Sequence, residues 1–427
     1  MRNIHPKFWF FLSCVSVVSS IVGVPAYAAD EAVPPTWQDS FVKALTDGTP
    51  MLDARYRFEN VEQNGLSHDA YANTLRTRLG YETGDFKNFK ARVQVENVMP
   101  FGSEFYNDGT NGQTQFPTIA DPRATVQLYE ANMTWSGVPQ STLTLGRQAL
   151  SLDNERWVGT ADWRQLGQTM DALTAQNHSI QNVDLQYTYG FHENRVFGPR
   201  AGSAANISYD MHTHLLHGAY TGITGVKLVG YGYLLDLSNA PTLSSQTYGA
   251  RAEVKRPVYE NVNAVFNGEY ARQMDYQNNP VSFGFNYYLA EPGVNVGPFT
   301  GKVGYEVMGG DGNHALQAPL DTGHAFNGWA EKFLTTPATG LTNVHIATEY
   351  KSADHSDWLN ATVAKFTWYD FHADSNSTHY GNEYDFWLGQ TFFKHYTLGL
   401  QYADFRGDQA ANVTDTRKIV VQLQAKY

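Results

Sequence analysis

The sequence predicts an all-β fold, a transmembrane antiparallel β-barrel of about eighteen strands with short periplasmic turns and long extracellular loops. Three observations predict it. Apolar and polar residues alternate with period two in segment after segment from Asp53 to the end. The links between segments are short and long by turns. The polar side of the alternation is rich in charge, and so many strands would close around an interior too wide to fill with side chains. The arrangement that satisfies all three turns the apolar face to lipid and the charged face to a watery lumen. Closure then pairs every backbone group, as a bilayer requires. A secreted soluble solenoid or propeller would show a repeat of about 20–50 residues, and none is visible.

The chain opens with an export signal over residues 1–28. Arg2 and Lys7 supply its positive start, Phe8 to Val24 its apolar stretch, and Ala26-Tyr27-Ala28 a small-x-small cleavage pattern. A retained anchor is disfavoured because the stretch carries several serines and is short for a span, and a lipoprotein signal at Cys14 would cut the stretch early and waste the better site downstream. Cleavage removes the single cysteine, so disulfides are not expected to hold the fold. Residues 29–52 read as a short periplasmic lead, and the barrel as 53–427. Mean hydropathy is −0.42, too polar for a helical bundle, and beyond residue 30 no apolar run is long enough for a helical span.

The strands follow in order. Asp53-Ala54-Arg55-Tyr56-Arg57-Phe58-Glu59 sets Ala, Tyr and Phe against Asp, Arg and Glu. Segments near 72–82, 87–98, 124–135 and 141–149 repeat the pattern, then 180–191, 204–211, 215–221, 225–236, 246–255, 262–272 and 280–290. The remainder are near 299–309, 342–351, 357–371, 382–393, 396–405 and 417–427. Thr83–Phe86, Thr221–Gly225 and Lys394–Tyr396 read as tight turns; 99–123, 150–179, 310–341 and 406–416 read as long loops. An even strand count places both chain ends on the periplasmic side. Tyr189, Phe191, Tyr305, Tyr350, Phe371 and Tyr402 stand at strand ends and are expected in the aromatic girdles. The terminal Tyr427 resembles the assembly signal read by barrel assembly machinery.

Three stretches go further: Leu145-Gly146-Arg147-Gln148 followed by Arg156-Trp157-Val158-Gly159-Thr160; Asp162-Trp163-Arg164-Gln165 followed by Gln168-Thr169-Met170-Asp171-Ala172; and His324 to Leu334, ending in Thr335-Thr336-Pro337. Together they resemble the alginate-export family of outer-membrane porins, over roughly residues 50–427. The resemblance implies an eighteen-stranded barrel and, for the family's best-known activity, export of a polyanion through an arginine-rich pore. This chain departs in charge. It carries 30 basic and 42 acidic residues, a net −12, and loses two more positive charges with the leader. That disfavours nucleic acid as a partner. Glu59, Glu82, Glu96, Glu253 and Glu269 mix with arginine on the inward face, which favours a narrow, oriented passage.

The expected function is therefore a porin passing small hydrophilic, mainly anionic solutes, with a dedicated polysaccharide conduit as the alternative. Arg55, Arg57, Arg76, Arg78 and Arg92 share the polar faces of three neighbouring strands. Arg147, Arg156 and Arg164 lead into the 150–179 loop, which is expected to fold inward. Guanidinium is always charged and offers a planar fork to carboxylates. The bland reading is that Glu59, Glu82 and Glu96 pair with these arginines and merely brace the wall. Asp162 and Asp171 are expected to orient the loop arginines. The Phe326-Asn327-Gly328-Trp329 motif suggests that the 310–341 loop packs inward or covers the mouth. His212 and His214 share a strand face but lack a third ligand nearby, so no metal centre is expected there. No nucleophile or acid/base motif, phosphate loop or cofactor signature appears, and enzymatic activity is not expected.

Overall fold

A computed structural model describes residues 36–119, 124–199 and 202–427; the export signal lies outside them. The chain falls into two units, residues 1–43 and 44–427. Helix α1, Trp37–Thr46, starts from a reciprocal cap in which Thr36 N–H donates to the Asp39 carboxylate (2.9 Å) and Asp39 N–H to the Thr36 hydroxyl (3.2 Å).

Eighteen antiparallel strands form one closed sheet. They are β1 Thr49–Gln63, β2 Ala70–Glu82, β3 Phe89–Pro100, β4 Thr125–Trp135, β5 Ser141–Gln148, β6 Thr169–Asn177, β7 Val183–Asn194, β8 Ser208–Ile223 and β9 Val226–Leu235. Then follow β10 Ser245–Tyr259, β11 Val262–Asp275, β12 Gly284–Val296, β13 Phe299–Met308, β14 Leu341–Lys351, β15 Leu359–His372, β16 His379–Phe392, β17 Tyr396–Gly407 and β18 Thr416–Lys426. Each strand pairs with its sequence neighbours, and β18 pairs with β1 to close the ring, Phe58 opposite Val421. Both ends of the barrel sequence meet at the short-turn end, where Leu52 and Tyr427 exchange backbone hydrogen bonds of 3.1 and 2.8 Å.

The count of eighteen agrees with the expectation, but two assignments differ and cancel. Residues 169–177, expected inside a loop, are strand β6: Met170, Ala172 and Thr174 are buried on its inner face. An inner row without charge and a single Asp on the outer row blur the period-two signal. Conversely, 204–207 form a short helical turn, and the rest of the segments expected at 204–211 and 215–221 merges into one long strand, β8, from Ser208. Its Asp210, His212 and His214 interrupt the outward apolar row, which makes one strand read as two. The true loop therefore runs 149–168, and β1 begins at Thr49 rather than 53.

The outer face is apolar as expected: Leu143, Leu145, Val303, Tyr305, Ile346 and Leu423 all stand exposed. The inner face is less uniformly polar than the sequence suggests. On β8 to β17 it carries large apolar residues towards the loop end, among them Tyr231, Tyr287, Phe371 and Phe405, joined to Trp157, Leu320 and Phe333 from two loops. Phe371, assigned to a girdle, is fully buried in this cluster against Phe333 (ring centroids 4.8 Å). A lumen that holds inserted loops needs an apolar surface to pack them on.

Candidate functional site: a constriction built by two inward loops

The candidate site forms where loops 149–168 and 309–340 enter the barrel. They join each other directly. Val158 and Leu320 make a parallel bridge, Gly159 N–H donates to Leu320 O (2.8 Å), and the Gln168 amide donates to the carbonyls of Gly159 and Leu320 (3.1 Å each). They also reach the wall all round. Trp157 Nε1 donates to Glu269 on β11 (2.7 Å), and Arg156 pairs with Glu306 on β13 (2.9 Å). Ala330 N–H donates to Glu383 and Trp329 N–H to Asp385, both on β16 (2.6 and 3.1 Å). Gly328, at φ +86°, lies so close to Glu383 that a Cβ there would fall 2.2 Å from its carboxylate.

Strand register explains the other anchor. It sets Arg55 directly opposite Arg76 across β1 and β2, a like-charge pair that costs stability unless anions intervene. Asp53 supplies one, 2.8 Å from Arg76. Loop 149–168 supplies the rest. Asp162 accepts from Arg76 (2.7 Å) and from Arg78, and Arg78 also pairs with Glu96 on β3 (2.7 Å). The Trp163 carbonyl accepts from Arg55 (3.3 Å) and Arg57, and Gln165 accepts from Arg55 Nε (3.0 Å). Arg57 lies 4.1 Å over the Trp163 ring and Arg78 3.7 Å over Tyr129, cation–π contacts in a desolvated place. Gly167 passes so near that a Cβ would stand 2.5 Å from the Tyr129 ring. Burial alone would raise the Asp162 carboxyl, but Arg76, Arg78 and Arg55 hold it well below the usual range.

Between the loops stands a third cluster. Glu331 pairs with Arg164 from the other loop and with Lys418 from β18, and lies 3.0 Å from His324 Nδ1. Burial would raise Glu331; Arg164 and Lys418 pull it well below its ordinary value. Burial pushes the His324 ring down to about 4 against the pull of Glu331, so the ring is neutral at physiological pH. It stacks on Trp163 at 3.8 Å with the planes 3° apart.

The two loops divide the lumen. On the loop side lies a cavity of about 640 Å³, lined among others by Arg164, Arg195, Lys332, Lys418, Asp321 and Glu331. On the turn side lies one of about 790 Å³, lined by Lys227, Glu253, Glu291, Lys302, His345 and Lys365 among others. Gly323 and His324 face the first and Ala325 and Trp329 the second, so this short run is the partition.

Of the arginines singled out from sequence, Arg55, Arg57, Arg76 and Arg78 are brought together, nearly solvent-free beneath loop 149–168. Arg92 is half-exposed and pairs with Glu82 and with Glu130 (3.4 Å). Glu59 is buried on β1. Arg156 is buried between the loops, 4.6 Å from Phe326, and Arg164 lines the loop-side cavity. Arg147 and Asp171 face each other across β5 and β6 (2.6 Å), on the outward rows that carry Leu143, Leu145 and Leu173. That removes this pair from the lumen. A bulge in β4 turns both Tyr129 and Glu130 inward, which shifts the inner row relative to simple alternation. Asp162 serves the strand arginines Arg76 and Arg78 rather than those of its own loop. His212 and His214 face outward and bond Tyr189 and Tyr187 (3.0 and 2.8 Å). Sequence reasoning missed Arg195 and Lys332. Arg195 lies 4.5 Å over Tyr209 and donates to Ala205 O (2.8 Å). Lys332 donates to the hydroxyls of Thr414 and Thr416 (3.2 and 3.0 Å). Both sit in loops, where no periodicity marks a side chain as inward.

Comparison with known proteins agrees with this architecture. Residues 51–230 match the alginate-export family model, a match that stops short of the 324–337 motif. No curated protein matches the sequence. Among solved structures, the chain is similar to Acinetobacter baumannii OccAB2, at 16% identity and a TM-score of 0.71, covering 90% of this chain and 99% of that one. It is similar also to Pseudomonas aeruginosa OpdK, whose crystal structure is described with vanillate, at 13% identity and a TM-score of 0.67, covering 90% and 99%. The chain is a closed eighteen-stranded barrel with the fold of these Occ and Opd proteins, and its residues 51–230 carry the match to the alginate-export family.

Proposed function

We propose that this protein is an outer-membrane porin that passes small hydrophilic solutes, with a preference for acidic ones, through the constriction of loops 149–168 and 309–340. The observation that carries the reading is the partition itself. The barrel encloses two cavities lined in part by charged side chains, with the 323–329 run contributing to the walls of both, and the loop-side cavity is bordered by Arg164, Arg195, Lys332 and Lys418. A solute carboxylate would exchange part of its hydration for these cations. Asp321 and Glu331 in the same cavity keep each contact weak enough for the solute to leave. Vanillate, with which OpdK was crystallised, is a small carboxylate of the size such a cavity admits. The buried arginines Arg55, Arg57, Arg76 and Arg78 act on the pathway indirectly, by fixing the loop that narrows it.

The alginate-export match favours a second reading, a conduit for an acidic polysaccharide. The filled loop-side half of the lumen favours small solutes, because an extended polymer would require both loops to leave. Single-channel recording in planar bilayers separates them. A small-solute porin gives a low conductance, an anion-selective reversal potential in unequal potassium chloride, and brief interruptions with small carboxylates. A polymer conduit responds to acidic oligosaccharides instead. Cation selectivity, with neither class of solute altering the current, would defeat both readings.

A further inference from the structure

The hairpin of β15 and β16 carries a side-chain cluster that the channel reading does not use. Asp370 and His372 stand two residues apart on the outward row of β15, since Tyr369 and Phe371 between and beside them face inward. His379 opens β16 directly opposite His372. Three residues further on, Asn382 would fall on the other face of a regular strand. The register instead shifts by one at this point, and Gly381 takes φ +139°, where an added Cβ would run into the Arg406 carbonyl. The bulge therefore brings His379 and Asn382 to the same outward face as Asp370 and His372.

The resulting geometry is compact. Asp370 Oδ2 lies 3.1 Å from His372 Nε2, and its Oδ1 lies 2.9 Å from His379 Nε2. One ligand atom from each of the three residues falls within 4.8 Å of the others. The carboxylate is held from behind by the Asn382 amide, which donates to Oδ1 (2.8 Å). His379 Nδ1 lies 3.2 Å from Asp408, in the β17–β18 loop. With a proton on Nδ1 held by Asp408, Nε2 can exchange its hydrogen bond to Asp370 for a metal ion, the carboxylate–histidine arrangement that orients metal-binding imidazoles. The nearby Arg406 is occupied by Asp404 on its own strand (2.9 Å).

We propose that Asp370, His372 and His379 form a binding site for a divalent transition-metal ion such as zinc, on the outer face at the loop-end rim, with Asp408 orienting His379. Metal–ligand bonds of about 2.0–2.2 Å in a tetrahedral site leave the fourth position to water. Two imidazoles select zinc, cobalt, nickel or copper over magnesium and calcium, which prefer all-oxygen sites. Bound metal would tie the β15–β16 hairpin together and, through Asp408, lend order to the neighbouring loop.

The test uses the full barrel folded in detergent, free of any polyhistidine tag, titrated with cobalt and followed by its visible absorption. The expected result is one cobalt per chain, displaced by zinc but not by a hundredfold excess of magnesium or calcium. His372→Ala and His379→Ala should each weaken binding at least tenfold. Asp408→Asn should weaken it about tenfold or more without abolishing it, and His212→Ala/His214→Ala should leave it unchanged. Heat-modifiable gel mobility confirms that each variant is folded. Equal cobalt binding in the wild type and in folded His372→Ala and His379→Ala, loss of binding in the His212/His214 variant, or no stoichiometric binding at all would overturn the proposal.

Discussion

Glu331 holds together residues from three parts of the chain: Arg164 in loop 149–168, Lys418 on β18 and His324 in its own loop. Replacing it with glutamine keeps the shape and removes the anion. Arg164 and Lys418, both nearly buried, then lose the anion they share, a loss of up to the order of 3–5 kcal/mol for a broken buried pair. Because the loops depend on this contact more than the barrel does, Glu331→Gln should leave assembly intact and produce a flickering, higher-conductance channel in single-channel recordings. The same group sets a pH dependence. Its folded-state pKa is depressed, since Arg164 and Lys418 outweigh burial, so the loop contact it supplies is fully present above the ordinary carboxylate value of 4.5. It is lost as pH falls through the lower folded value. Channel noise in the wild type should therefore rise only in strong acid, and should depend less on acid in Glu331→Gln. A wild-type channel already noisy at pH 6 would show that another group governs the loop. The sequence marked Arg164 as a site residue but not its partners, because Glu331 and Lys418 lie far away along the chain and no local pattern joins them.

At the scale of elements, the strands were legible and the loop interiors were not. The last strand shows why. In β18, Val421 and Leu423 alternate with buried Gln422 and Val420, and the period-two pattern alone places the first pair towards lipid. Val421→Arg should accordingly cost about 2–4 kcal/mol near the bilayer midplane in a folding titration into lipid vesicles. Gln422→Ala should cost far less, although it removes a hydrogen bond to Arg57 (3.2 Å). Equal sensitivity at the two positions would contradict the assignment of faces. Strand β6 escaped notice because its inner row is Met170, Ala172 and Thr174, neither charged nor strongly polar. Its outer row includes Asp171, whose charge is tolerated only beside Arg147. Loop 149–168 carries no periodicity, and its inward course follows from Trp157, Asp162 and Trp163 finding partners on β11, β2 and β1. Replacing residues 153–165 with a short glycine-serine link should raise conductance severalfold while leaving a heat-modifiable barrel. An unchanged conductance would place the constriction in loop 309–340 alone.

The whole molecule separates two uses of positive charge, and the separation is open to experiment. One set, Arg55, Arg57, Arg76 and Arg78, is buried and neutralised by Asp53, Glu96, Asp162 and loop carbonyls, so its field reaches little of the lumen. The other, Lys332 and Arg195, borders the loop-side cavity, with Arg164 and Lys418 at its wall paired to Glu331; charges facing a watery cavity are screened within about 8–10 Å at physiological salt. Sequence alone placed the first set in the lumen, because alternating strands declare their inward residues. It could not show that a loop covers them, nor find Lys332 and Arg195, which only the folded loops bring to the cavity. The two sets should therefore respond differently to neutralisation. Arg76→Ala/Arg78→Ala releases Asp162, loosens loop 149–168 and leaves an extra negative charge near the path, so conductance should rise and become noisy. Lys332→Gln should leave conductance nearly unchanged, because Lys332 bonds the neutral hydroxyls of Thr414 and Thr416 and lies over the Phe405 ring rather than pairing with a loop carboxylate. It should instead shift the reversal potential in a potassium chloride gradient away from anions, an effect that fades as salt is raised. A reversal potential unmoved by Lys332→Gln at low salt would mean that the loop-side cations do not select the permeating ion.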